Sequence, residues 1–502
     1  MNTKYPAVVK FAYEPGSVQL SLVSVEAAVH SAKRPRIRVA LAAALLACLP
    51  RALPAEEAPP IAAVPPMGWN SYDAFGDSVT EAEFLANAQI VHEKLQSHGW
   101  KYVVVDFRWY DPGADSGLLV TRLGAKLASD RFGRLLPAPN RFPSASGNAG
   151  FRALADAVHA MGLKFGIHVM RGIPRQAVAL NAPIADSGFH AGDAAATGDT
   201  CHWCPDMYGV KGATEAGQAW YDSILRLYAS WGVDLVKVDD LSRPYHQDEI
   251  HAVRTAIARC GRPMVFSTSP GETPAVKATD IATQANMWRI SNDFWDRWAD
   301  LNHALDLAHL WEGVGGPGHW PDADMLPLGH VALRCSDGGN DRWTRFTRDE
   351  QTTLLSLWAI APSPLMLGGD LRDADPWTLA LLTNDEVLAV DQDPLGLPAR
   401  RVSSQDDQEV WIRDLADGSR ALAVFNRSAV PRVIAFRWPD VGVAGKQSAR
   451  DLWDHRDLGI VDGYMELSAP PHGSRLLRMR DNPGTRETQA AGSQTPRNWT
   501  AP

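Results

Sequence analysis

Three short stretches carry residues that could do chemistry together. "DLVKVDDL" (234–241) ends an apolar run on Lys237, Asp239 and Asp240, "MWRISNDFWDRW" (287–298) sets Asp293 four residues after Arg289, and "GPGHWPDADML" (316–326) carries Asp322 and Asp324 in a Gly/Pro-rich segment. A charged group leaves water at a cost of several kcal/mol unless it is paired, so strand-like runs that finish in charge must open onto a partner or a ligand. Paired carboxylates facing one cavity suit glycosidic cleavage, where one attacks the anomeric carbon and the other protonates the departing oxygen and then deprotonates water. Lys237 lies two residues before Asp239 and shares its side of a strand, so its cation is expected to hold Asp239 ionised as the nucleophile. Asp293 sits among Trp288, Phe294, Trp295 and Trp298 and is expected to be desolvated and protonated as the acid. Each residue taken singly also has a plain structural reading. Lys-x-Asp at a strand end is often an ion pair, Asp322 and Asp324 can cap turns, His168 fits a satisfied core histidine, and Trp69 can plug the barrel floor or wall.

The elements that must position these residues form a repeating pattern. From about 64 to 395, short apolar runs alternate with amphipathic stretches of helical length, the sign of repeated βα units. Strands are expected at 66–69, 102–106, 164–169, 234–239, 263–268, 287–291, near 311–314 and at 364–367. Helices are expected over 81–99, 150–162, 217–232 and 247–261. Eight strands close a (β/α)8 TIM barrel, whose active site gathers at the C-terminal ends of its strands, and several of these runs end in polar residues: Asp106, His168, Asp239 and Ser269. The barrel is assigned to 60–398. After it, alternating runs such as "EVWIRDL" and "RALAVFN" indicate an antiparallel β-sandwich over 399–480, and the polar 481–502 reads as a disordered tail.

Composition narrows the class. The 502 residues are 45% hydrophobic with a net charge of −9 and no basic block, so there is no footprint for nucleic acid. Residues 1–55 read as an upstream extension and signal peptide: "KRPRIR" (33–38), the apolar 39–49, then a small-residue cleavage zone near Ala55, with the true start at a downstream valine such as Val25 or Val29. The apolar run is too short for a membrane span, so a periplasmic or secreted protein is expected, with a lipoprotein through Cys48 as the weaker reading. Cys201 and Cys204 in "CHWC" read as a short-loop disulfide, or with His202 as part of a metal site; no second Cys/His pair at ligand spacing lies nearby, which favours the disulfide. No Gly-rich phosphate loop, zinc helix signature or Gly-x-Ser-x-Gly elbow is present.

In order along 64–480, "PPMGWNSY", "GWKYVVVD", "LKFGIH", "VDLVKVDD", "WRISNDFWDRW", "GPGHWPDADML", "LWAIAPSPLMLGGDL", "EVLAVDQDPLG", "RDLWDHRDLG" and "PPHGSRLL" together resemble glycoside hydrolase family 27, the melibiase or α-galactosidase-like family. The resemblance implies a retaining exo-α-glycosidase that needs no cofactor and no metal and acts on an oligosaccharide, polysaccharide or glycoconjugate. Asp239 would be nucleophile and Asp293 acid/base, with Asp106, Lys237, Arg289 and Asp324 on sugar hydroxyls and Asp240 structural. Retention predicts carboxyl groups about 5–5.5 Å apart. Four positions depart from the galactose-specific pattern. Phe107 replaces a second acid, Tyr72 a tryptophan and His168 a tyrosine, and Ser269 stands near the place of a glutamate. Those positions and Trp69 are expected to line the sugar site. The expected activity is α-galactosidase, with the same machinery on a β-L-arabinopyranoside, an α-N-acetylgalactosaminide or an isomaltosyl α-glucan as the alternative, and an idle carbohydrate-binding protein as the reading from another class.

Overall fold

The computed structural model describes residues 60–114 and 125–482. The leader, Cys48 and the tail beyond 482 lie outside the described residues. Eight parallel strands form one curled sheet: β1 (Met67–Asn70), β2 (Tyr102–Val105), β3 (Lys164–Met170), β4 (Leu235–Asp239), β5 (Val265–Thr268), β6 (Met287–Arg289), β7 (Trp320–Asp322) and β8 (Leu365–Leu367). They run in the order β7-β6-β5-β4-β3-β2-β1-β8, and a parallel bridge between Leu326 and Leu367, just past β7, brings the last edge to the first. This is the expected TIM barrel.

One expected strand was misplaced. Residues 311–314 close the helix Trp298–Leu310 in a turn, and the seventh strand is Trp320–Asp322, inside the segment read as a Gly/Pro-rich loop. Pro321 has no N–H for a ladder and argues against a strand, but the donors used here belong to its neighbours: Trp320 N–H reaches Asn286 O at 2.9 Å and Ile290 N–H reaches Asp322 O at 2.9 Å.

Side chains alternate across every strand, and this parity decides what faces the barrel axis. Val104, Leu235, Val265 and Met287 join Met325 and Met366 in an interior cluster, whereas Val103, Val105, Val236, Val238 and Trp288 pack outward with the helices. The helices Arg152–Ala160, Glu215–Trp231 and Gln247–Arg259 supply that outer layer; the longest is capped by the Thr214 hydroxyl, which accepts from Gly217 N–H, and stops at the left-handed Gly232.

A six-stranded antiparallel sheet follows, in the order β9-β10-β11-β16-β13-β14, from β9 (Arg400–Gln405), β10 (Gln408–Asp414), β11 (Arg420–Asn426), β13 (Lys446–Asp451), β14 (Arg456–Asp462) and β16 (Ser474–Asp481). Strands β12 (Arg432–Arg437) and β15 (Tyr464–Ala469) pair separately over it. Val410, Leu422, Val424, Phe436 and Leu477 fill the space between. The other face, with Ala421, Ala423, Phe425 and Leu476, joins the core of the barrel, where the Arg413 guanidinium donates to Ala359 O at 3.0 Å. Strands β9, β13 and β14 had no sequence expectation because their exposed faces dilute the apolar alternation.

Close approach of β1 and β2 requires Gly68. A Cβ there would lie 2.3 Å from Tyr102 O and 2.7 Å from Tyr102 Cβ. Gly68→Ala is expected to destabilise the chain by about 1–3 kcal/mol or more, seen as a lower thermal midpoint; an unchanged midpoint would mean that the two strands have room to part.

Candidate active site

Parity collects the chemistry at one end of the barrel. On β4, Leu235, Lys237 and Asp239 face inward while Val236 and Val238 face the helices; on β6, Arg289 follows Met287 inward. A cavity of about 480 Å³ opens above these strand ends. It is lined by Tyr72, Asp106, Lys237, Asp239, Ser269, Arg289, Asp293 and Asp324 among the expected residues, and by Phe107.

Asp239 is held from two sides. His168 is fully buried, and its Nε2 lies 2.8 Å from Asp239 Oδ2; a carboxylate only accepts, so this nitrogen carries the hydrogen. Oδ1 accepts from the Asp240 N–H at 2.8 Å, and Asp240 itself adopts a left-handed backbone (φ 63°). His168 therefore does not line the cavity, contrary to expectation; it grips Asp239 from behind. Asp240 is fixed by Arg171, whose Nε donates to its carboxylate at 2.9 Å and to its carbonyl at 2.8 Å, in line with the structural role expected.

Lys237 is bound elsewhere than its spacing suggests. Its Nζ donates to Asp106 Oδ2 at 3.0 Å, the same oxygen that accepts from Asn70 Nδ2 at 2.7 Å. Burial alone would push the Asp106 carboxyl up, but Lys237, His168 and Asn70 outweigh it and hold it at about 2. Burial would likewise lower the Lys237 ammonium, and Asp106, Asp239 and Asp324 raise it instead. Lys237 thus acts on Asp239 through space.

The second cation ties two acids. Arg289 lies 2.7 Å from Asp324 and 3.1 Å from Asp293. Asp324 also accepts from Phe294 N–H at 2.8 Å and adopts φ 91°, a left-handed backbone that a non-glycine residue holds only under constraint. Burial, with Asp293 and Asp322 nearby, pushes its carboxyl up to about 6 despite Arg289. Asp293 departs from expectation, because its side chain is 60% exposed. Phe294 and Trp295 turn into the protein and leave the carboxyl in water.

Tyr72 lines the cavity and donates through its hydroxyl to Asp337 at 2.7 Å. Ser269 lies buried in the wall. Phe107 meets His168 edge-on at 5.4 Å, Tyr72 at 6.5 Å and Trp203 at 6.0 Å, an aromatic wall beside Asp239. Trp69 does not join it. Its ring packs outward on Phe75 and Phe84 and its Nε1 donates to Gly369 O at 2.8 Å, because Gly68 and Asn70 hold the inward parity on β1. Sequence reasoning missed Asn70, Asp73, Trp203 and Asp337. The alternation Gly68, Asn70 was a usable signal for the first; Asp73 lies in a one-turn helix and Trp203 and Asp337 on a bend and a turn, where period carries no information.

The "CHWC" segment puts His202 and Trp203 on the cavity wall. Its cysteines are free thiols, as are Cys260 and Cys335, so the expected disulfide is not present. Burial pushes the Cys201 thiol up to about 12, and Cys204 Sγ sits 3.9 Å from Asp206. Among the described residues, Asp199, His246 and Glu249 come close enough to share a cation, but Arg171 already pairs with both carboxylates at 2.8 Å.

Comparison with known proteins agrees with this geometry. A family model described as alpha galactosidase A matches residues 173–393, and one described as the alpha galactosidase C-terminal beta sandwich domain matches 405–479. The α-galactosidase of Cyamopsis tetragonoloba is 30% identical over 419 residues, 82% of this chain and 85% of its own. Alpha-galactosidase A of Homo sapiens is 30% identical over 454 residues, 84% and 90%. The crystal structure of a family 27 β-L-arabinopyranosidase from Geobacillus stearothermophilus superposes with a TM-score of 0.82 at 50% identity, covering 84% of this chain and 98% of that one.

The raised Asp324 carboxyl fixes a sign for stability against pH. An aspartate ordinarily ionises near 3.8, so between about 4 and 6 the unfolded chain has lost this proton and the folded chain keeps it; stability falls as pH rises through that window. Asp106, depressed to about 2, contributes stability above about 4 and loses it only in stronger acid. The enzyme is therefore expected to melt higher at pH 5 than at pH 7.5, with an Asp324 share of about 1 kcal/mol. Asp324→Asn should reduce the difference, and an undiminished difference in that variant would refute the assignment.

Proposed function

The chain belongs to the α-galactosidase family of glycoside hydrolases, family 27, and on that premise we propose that it is a retaining exo-glycosidase that cleaves terminal α-D-galactosyl residues through a covalent glycosyl-Asp239 intermediate. One observation carries the reading: Asp239 and Asp293, from the ends of two different strands, open into the same cavity, and only Asp239 is locked by donors on both oxygens. A carboxylate held in one rotamer is pre-aimed for attack on the anomeric carbon, whereas Asp293, tied loosely through Arg289 and open to water, can give and take a proton. In the first step the Asp239–C1 bond forms as the C1–oxygen bond breaks, and the departing oxygen takes the Asp293 proton. In the second, Asp293 removes a proton from water, which attacks C1 and frees Asp239. Asp106, Lys237, Arg289 and Asp324 supply acceptors and donors for ring hydroxyls, and Tyr72 and Ser269 complete the wall. The leader over 1–55 fits an enzyme that meets its glycan outside the cytoplasm.

Phe107 favours a second reading with the same machinery. A β-L-arabinopyranoside has the ring configuration of an α-D-galactopyranoside and lacks only the hydroxymethyl group. An aromatic ring where galactose-specific relatives carry a sugar-gripping acid cannot receive a hydroxyl, and a buried hydroxyl without a partner costs about 1–3 kcal/mol. The likeness to the Geobacillus β-L-arabinopyranosidase points the same way.

A panel of aryl glycosides tests both. Asp239→Asn should lower kcat by orders of magnitude with the melting curve unchanged; a variant as active as the parent would exclude this nucleophile. Phe107→Asp should raise the ratio of kcat/KM for α-galactoside over β-L-arabinopyranoside by about tenfold or more, and a fixed ratio removes the case for the second sugar.

A further inference from the structure

One carboxyl oxygen beside the cavity has no hydrogen-bond partner among the described residues. Asp73 sits in the short helix Tyr72–Phe75, directly after β1, and its side chain faces the cavity while the residue is only 4% exposed. Its Oδ2 has no hydrogen-bond partner among the described residues. The chain makes room for it: a Cβ on Gly368 would fall 1.9 Å from that oxygen. Its backbone is fixed as well, with Asp73 O accepting from Ala332 N–H at 2.7 Å.

The two buried cations are already committed, Lys237 to Asp106 and Arg289 to Asp324 and Asp293. A buried polar atom left unpaired costs about 1–3 kcal/mol, so the group needs a reason to be there. Burial, then the charge of Asp324, drives the Asp73 carboxyl well above the usual carboxylate range, and a carboxyl that keeps its proton offers one donor and one acceptor. Lys237 can only donate and ionised Asp106 can only accept. A sugar hydroxyl also both donates and accepts, and Asp73 matches it on both counts.

We propose that Asp73 is a sugar-recognition residue, whose carboxyl pairs with a ring hydroxyl of the glycoside seated in the cavity. This assignment rests on the glycosidase reading of that cavity. It explains the orphaned oxygen and the glycine opposite it, which a purely structural aspartate would not need.

The test compares the parent enzyme with Asp73→Ala and Asp73→Asn on the best aryl glycoside and its 2-, 3- and 4-deoxy analogues. Asp73→Ala should lose about 10–100-fold in kcat/KM on the full sugar. On the one deoxy sugar that lacks the partner hydroxyl it should lose less than about threefold. Asp73→Asn keeps a donor and an acceptor and should stay within about tenfold of the parent. An equal loss on every analogue, or no loss at all, overturns the proposal. Infrared difference spectra on adding free galactose or arabinose give a readout that does not depend on Asp73→Ala folding. The carbonyl stretch of the protonated carboxyl should shift in the parent and be missing in Asp73→Asn, and a parent band that does not move also overturns it. A parent that turns over no glycoside of the panel sinks the glycosidase reading itself and this assignment with it, an outcome distinct from an active parent with insensitive Asp73 variants.

Discussion

The strand ends hold more buried acid than buried cation, and the rest of the site follows from that imbalance. Buried Asp73, Asp106, Asp239 and Asp324 share them with Lys237 and Arg289, while the exposed Asp293, Arg243 and Arg297 also line the cavity. Two unit charges 4 Å apart interact by about 4 kcal/mol at an effective dielectric of 20, so each acid must find a cation, a set of donors or a proton. Asp106 takes the Lys237 cation and becomes a strong acid. Asp239 takes neutral donors, one ring N–H and one backbone N–H. Asp324 shares Arg289 and is pushed up to about 6, and the Asp73 carboxyl is driven well above the usual range. Environment has divided like groups into different settings.

The barrel enforces this division through parity and close packing. Inward positions on successive strands bring Asn70, Asp106, His168, Lys237, Asp239 and Arg289 to one end, while the outward positions between them, such as Val236 and Val238, are gripped by helices. Where neighbours come too close for a side chain, glycine stands: Gly68 against the Tyr102 backbone, Gly166 against the Val104 and Leu235 side chains, Gly368 against the Asp73 carboxyl. A side chain at any of these would shift a strand end, and displacements of about an ångström at a reacting centre are costly.

Much of this was legible before any coordinates. The βα alternation, the charged strand ends and the ordered motifs led to the barrel and the sandwich, and to the two carboxyls proposed as catalytic. What failed did so for identifiable reasons. The seventh strand hid behind Pro321, because its ladder uses the residues on either side. Trp69 was placed in the site by motif, although the alternation through Gly68 and Asn70 already turned it outward. His168 was placed on the sugar, whereas its one visible partner is Asp239. Asp73 was passed over because nothing in its sequence surroundings sets it apart from an ordinary acid in the first turn of a helix; only its burial beside the cavity with an unpartnered oxygen distinguishes it.

The exposure of Asp293 changes how the acid step is prepared. The sequence surroundings suggested a carboxyl already stripped of water, but 60% of its side chain meets solvent in the free enzyme. The aromatic residues beside it build the wall, and the substrate must supply the cover. A glycoside seated against Phe107 and Tyr72 displaces water from the cavity, and a carboxyl that loses its water retains a proton more readily. In the proposed mechanism, binding energy from the ring hydroxyls is spent on seating and orienting the reacting centre, so that a sugar making fewer of those contacts should be poorer in kcat as well as in KM.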